Sequence, residues 1–164
     1  MLVRKGQCEE GGNPMTDFLM SFPELNLSVQ VEPLAKNQKL YDWFLENLPL
    51  KGVQSHAVVS GKLIYIMNLR MKKAAPVRYR DLAVEDLSEA RDGRIFIFIT
   101  AGKVGSVSVK YGEVSENMSY PVLAQVRQEG LKNLEKIGAA VWKSIYSTKQ
   151  VITVEFLGKQ DSGR

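Results

Sequence analysis

Histidine and cysteine are almost absent from this chain: its 164 residues carry one of each, His56 and Cys8. A lone cysteine has no internal disulfide partner, so a reducing, cytoplasmic setting is the simplest expectation. With no H-x-x-x-H or C-x-x-C spacing there are too few ligands for zinc, and no metal is expected. No apolar run approaches the roughly 18 residues a membrane helix needs. The early Arg4-Lys5 pair has no apolar stretch behind it, so neither a membrane span nor a signal peptide is expected. There is no G-x-S-x-G elbow, and GKVGS at 102–106 lacks the rest of a P-loop. These absences remove the common serine hydrolases and the P-loop nucleotide binders. Repeats and low-complexity stretches are missing too.

What is present is a chain for one domain with a real core, 45% hydrophobic and carrying a net charge of +4. That charge is too mild to argue for nucleic acid, which is not expected as a partner. Its distribution is uneven. Arg70, Lys72, Lys73, Arg78 and Arg80 fall within eleven residues that hold no acid. Such a run reads either as a solvated surface loop or as a mobile cationic loop that attracts a carboxylate, with arginine able to grip it bidentately.

Hydrophobic periodicity supplies the elements. Residues 1–20 show no convincing pattern and read as a flexible extension, with Met15 a second candidate start. Leu27, Val29 and Val31 alternate with polar residues, the period of a half-buried strand. Asn37 suits an N-cap, and Leu40, Tyr41, Phe44, Leu45 and Leu48 follow at helical spacing until Pro49. Two extended runs, Val53–Val59 and Lys62–Leu69, joined at Ser60-Gly61, suggest a hairpin. RIFIFIT at 94–100 reads as a strand buried on both sides, Val107–Tyr111 as another, and Pro121–Val126 as a third. Leu131, Leu134, Ile137, Val141, Trp142 and Ile145 form one apolar stripe on a helix over 128–146, with Trp142 expected in the core. Gly138 within it suggests close packing against a sheet. Val151–Phe156 closes the domain as a strand, and 159–164 reads as a disordered tail. Many strands with two helices fit a mainly β (α+β) fold, a small closed barrel over 21–158 with two covering helices. Strands apolar on both faces suit a barrel interior or a homo-oligomer interface, and periodicity does not separate the two.

Two groups of polar residues stand out. His56 lies among apolar neighbours, where it reads either as a hydrogen-bonded core histidine or as a general acid or base. Tyr111, Glu113 and Glu116, with Ser119 and Tyr120 just beyond, are either an exposed polar loop or the carboxylate–tyrosine part of a proton-transfer set at a barrel mouth.

A helix ending in LPLKG and followed by QSHAVVSGKLIYI resembles a segment of bacterial cyclophilin-like domain proteins of unknown function. VSVKYGEVSENMSYPVLAQV, leading into a Trp-bearing helix, is similar to a strand pair of the same superfamily. The likeness spans about residues 25–157. That superfamily includes the cucumopine and mikimopine synthases. The resemblance implies a cyclophilin-like barrel, with His56 pointing toward a pocket. It also implies a small carboxylate-bearing ligand, such as a 2-oxo acid. In opine synthesis an amino acid's amine and a 2-oxo acid form an imine, which an imidazole carbon then attacks. His56, Tyr111 and Glu113 would move protons; Arg78 and Arg80 would hold carboxylates, with Glu116, Ser119 and Tyr120 lining the substrate site. No cofactor is implied. Val58 and Val59 replace the family's hairpin Trp, and VEDLSEARDG replaces its Gly-Asp turn. No string matches the arginine or glutamine motifs of the prolyl isomerases. The competing reading is a non-catalytic ligand-binding or oligomeric assembly module.

Overall fold

A computed structural model of the protein describes residues 16–159. The strands are β1 (Phe18–Phe22), β2 (Leu27–Glu32), β3 (Leu50–His56), β4 (Gly61–Met67), β5 (Val84–Asp86), β6 (Arg94–Thr100), β7 (Lys103–Val114), β8 (Ser119–Val126) and β9 (Thr153–Leu157). Eight of them form an antiparallel sheet in the order β2-β1-β9-β3-β4-β7-β6-β8, and pairing of β2 with β8 closes it into a barrel. β5 adds to the outside edge of β8. Neither described helix is long and apolar enough to cross a membrane.

The sequence expectation for the N-terminus needs correction at its end. β1 starts at Phe18, inside the stretch expected to be an extension, and pairs with both β2 and β9. Phe18, Met20 and Phe22 point inward and are almost fully buried. Each large side chain so buried contributes about 1.5–3 kcal/mol, which explains why this short strand is held. The earlier part of that extension, with Cys8 and Met15, and the last residues of the tail lie outside the described residues.

The helices α1 (Gln38–Glu46) and α2 (Leu131–Lys143) both pack their apolar faces into the barrel's main core. α1 buries Leu40, Tyr41, Trp43 and Phe44; Phe44 meets Phe156 of β9 edge-on at 5.4 Å between ring centres. Asn37 takes the N-cap position of α1 as expected, but its side chain makes no capping bond. Its backbone is left-handed, and its side chain instead donates to the Ala83 and Val122 carbonyls and accepts from the Ala83 N–H. It therefore ties α1 to β8 and to the segment before β5.

The basic loop is also more constrained than a mobile element. Asn47, fully buried after α1, accepts from the backbone N–H of Lys72 and Lys73. Trp43 donates its indole N–H to the Lys73 carbonyl, and the Ala75 N–H reaches Gly102. The loop is pinned at its centre while its cationic tips stay in water.

On the barrel's inner side, α2 buries Leu134, Ile137, Gly138 and Val141. Trp142 is not core. It sits one residue, about 100° of helical turn, past Val141 and stays 42% exposed. The helix continues into a π-helical turn over Ser144–Thr148.

Candidate functional site

Strand register sorts the expected site residues onto two faces. His56 pairs with Ile64, which pairs with Val109, so these three and Tyr111 share the inner face. Tyr65 pairs with Ser108, Ser108 with Phe96 and Phe98 with Ser106, all on the outer face.

The structure brings His56 and Tyr111 together on the inner face. Nδ1 of His56 lies 2.7 Å from the Ala57 carbonyl, which has only lone pairs to offer, so Nδ1 carries the hydrogen. Nε2 is then the acceptor, and the Tyr111 hydroxyl donates to it at 2.6 Å. Trp142 covers the imidazole edge-on at 4.9 Å, and Tyr146 lies tilted against Trp142 at 4.3 Å. His56 is only 6% exposed, and this burial lowers its pKa, partly offset by the bond to Ala57. Burial likewise raises the Tyr111 pKa, and Glu135 of α2 adds to that shift. The pair is thus a neutral, hydrogen-bonded unit. Gly138 makes it geometrically feasible: a Cβ there would fall 2.4 Å from Cζ of Tyr111. The ring lies flat beneath a helix that has no side chain at that point.

Glu113 does not join this pair. It is exposed, and among the described residues no hydrogen bond or ion pair connects it to His56 or Tyr111. The remaining residues also spread out. Arg78 lines a groove of about 650 Å³ beside the first turn of α1, together with Lys39, Pro76 and Asp81. Arg80 is exposed, 4.0 Å from Asp81. Ser119 is exposed at the start of β8, opposite Asp86.

Glu116 and Tyr120 belong to the outer face. There a pocket of about 190 Å³ opens over β4, β6, β7 and β8, walled by Tyr65, Phe96, Phe98 and Tyr120. Leu63 and Leu87 are also in its walls, and the Ser106 and Ser108 side chains supply polar groups. At about 30 Å³ per water, it holds several waters or one small ring system. Tyr79, outside the pocket, meets Phe98 edge-on at 6.3 Å, and Phe98 meets Tyr120 at 6.4 Å. Glu116 accepts a hydrogen bond from Ser60 at 2.6 Å. Burial raises the Tyr65 and Tyr120 pKa values, and the Glu116 charge adds to both shifts.

The sheet is irregular at this place. The register shifts between Phe98 and Ile99 against β7, between Ile95 and Phe96 against β8, and between Gly61 and Leu63 on β4. Phe96 and Phe98 face the pocket by ordinary alternation, opposite Ser108 and Ser106. RIFIFIT was expected to be buried on both sides, yet Phe98 is 42% exposed. Lys110 secures the rim: its buried ammonium donates to the carbonyls of Leu87, Ser88 and Ala90. Tyr65, Phe96, Phe98 and Tyr79 were not among the expected site residues; the signal that could have found two of them is the alternation of Phe96 and Phe98 on β6.

No family model matches the chain, and no curated protein matches it. Solved structures do. The chain is similar to McbB, solved in complex with tryptophan, at a TM-score of 0.71 and 24% identity. The match covers 87% of this chain and 44% of McbB, so the chain spans less than half of that protein's length. The two share a fold.

Proposed function

We propose that this protein binds a small organic molecule in the outer-face pocket, with a flat apolar body between Tyr65, Phe96, Phe98 and Tyr120. The observation that carries this reading is a concave aromatic pocket on the barrel's outer face with a few polar groups, among them Ser106 and Ser108. The tryptophan held by McbB supports an amino acid as the first ligand class to try. A thermal-shift screen of amino acids, 2-oxo acids and dicarboxylates tests it. A stabilising ligand whose effect disappears in Phe98→Ala supports the reading; no shift from any of them removes it.

A second reading is opine-synthase-like condensation of an amino acid with a 2-oxo acid, and the His56–Tyr111 hydrogen bond favours it. In this reading His56 and Tyr111 move protons on the inner face; Arg78, Arg80, Glu113, Glu116, Ser119 and Tyr120 lie apart from that pair and have no part in it. Incubation with histidine and a 2-oxo acid, followed by mass spectrometry, should show a condensed product that His56→Gln and Tyr111→Phe abolish. Binding without turnover leaves the protein a ligand-binding module.

A further inference from the structure

Away from the inner-face pair and the outer-face pocket, a cleft of about 450 Å³ opens between the basic loop and the β6–β7 turn, a size that suits a small molecule. Arg70, Lys72 and Lys73 line it from the loop and Lys103 from the turn, with Leu69 and Val104 among its apolar residues. Among the described residues no carboxylate lines it. The acid bonded to these cations is Glu46, which accepts from Lys73 at 3.3 Å. Both side chains of that pair are more than half exposed, and such a pair is weak in water. Lys72 gives one N–H to the Leu48 carbonyl at 3.2 Å. The side chains of Arg70 and Lys103 have no hydrogen bond or ion pair among the described residues.

Four like charges in one cleft repel, and a free loop would relax them into water. The backbone prevents this. Asn47, fully buried, accepts from the N–H of Lys72 at 2.7 Å and of Lys73 at 3.3 Å. The Ala75 N–H reaches the Gly102 carbonyl at 3.1 Å. A Cβ on Gly102 would meet Cβ of Ala74 at 3.5 Å, so loop and turn touch there. On the turn, Ala101 has φ +50°, a left-handed conformation that alanine rarely adopts. Gathered charge and strained backbone both lower stability, and such features cluster at ligand clamps.

We propose that this cleft binds an organic phosphate monoester, its phosphate held by Arg70, Lys72 and Lys103 and its organic body against Leu69 and Val104. A carboxylate brings one charge and two oxygens. A phosphate monoester brings a charge of about −1.5 to −2 and three strong acceptor oxygens, enough to engage three cations at once. Arginine can grip two of those oxygens, while the lysines act as point charges. The site is separate from the outer-face pocket and does not depend on it.

Phenyl phosphate, benzoate and benzyl alcohol, titrated at low salt by protein-observed NMR, test this. Phenyl phosphate should bind about tenfold tighter than benzoate, with benzyl alcohol weakest. The amide shifts should concentrate at residues 69–74 and 101–104. Arg70→Gln and Lys103→Gln, both at exposed positions, should each weaken phenyl phosphate about fivefold. Lys143→Gln, on α2, should leave its binding unchanged. Equal loss in all three variants would reduce the effect to net charge and overturn the site. Equal affinity for phenyl phosphate and benzoate overturns phosphate selection, and so does an absence of saturable binding. Shifts centred on Tyr65 and Phe98 would assign the probe to the outer-face pocket and overturn the cleft. A short oligothymidylate that binds tighter than phenyl phosphate at physiological salt would make this a nucleic-acid surface, against the proposal.

Discussion

The ring of Tyr111 lies flat against the backbone of Gly138, and its hydroxyl reaches Nε2 of His56 at 2.6 Å. One missing Cβ on α2 thus sets the geometry of a hydrogen bond on β3. Gly138→Ala would place a methyl group 2.4 Å from Cζ of Tyr111. Such overpacking should cost about 1–3 kcal/mol. It should also displace the phenol, and the His56 ring resonances in NMR spectra should move to those seen in Tyr111→Phe. An alanine variant with unchanged stability and unchanged imidazole signals would refute this packing account.

Acid should weaken the fold through His56. Burial holds its folded pKa below the ordinary value of about 6.5. Below that value the unfolded chain takes up a proton that the folded chain resists, so stability falls as pH drops. Above about pH 7 both states are neutral at this site and the contribution is flat. Denaturant titrations between pH 5 and 8 should show the slope, and His56→Gln should reduce it.

Gln54 is buried on the inner face, and neither of its amide atoms has a hydrogen-bond partner. A buried polar group left unsatisfied costs about 1–3 kcal/mol. Gln54→Met keeps the length of the side chain and removes that cost, so the melting temperature should rise. A lower melting temperature would mean that the amide is satisfied in solution, for example by buried water.

Lys110 holds three carbonyls of the 87–90 segment, and Leu87 lines the outer pocket. Lys110→Met leaves those carbonyls unpaired and should cost about 1–3 kcal/mol. Hydrogen exchange at Leu87, whose N–H bonds to Met118, should speed up more than exchange in β1 or β9. Uniform acceleration across the barrel would show that Lys110 supports global stability rather than this rim.

The barrel and both helices were legible because alternation and 3.6-residue spacing are local signals. β1 escaped because FLMSF is short and Leu19 blurs its alternation. β5 has only three residues and is held by its pairing with β8 rather than by its own pattern. The register decided the rest. His56 and Tyr111 meet because β4 lies between β3 and β7, an order that spacing along the chain does not reveal. The same register sends Tyr65, Phe96 and Phe98 outward. Trp142 was misplaced because the apolar stripe of α2 is wide, and its last large residue turns past the core edge to cover His56.

The pairing of β1 with β9 joins the two ends of the described chain. β1 emerges from the ribosome early but finds this neighbour only when β9, the last of the strands, has been made. Until then β1 and β3 each present a bare edge with Phe18, Met20 and Leu50 uncovered. Completing the ring is therefore a late, long-range event in synthesis. A chain truncated before residue 153 should accumulate as open sheets prone to pairing with one another.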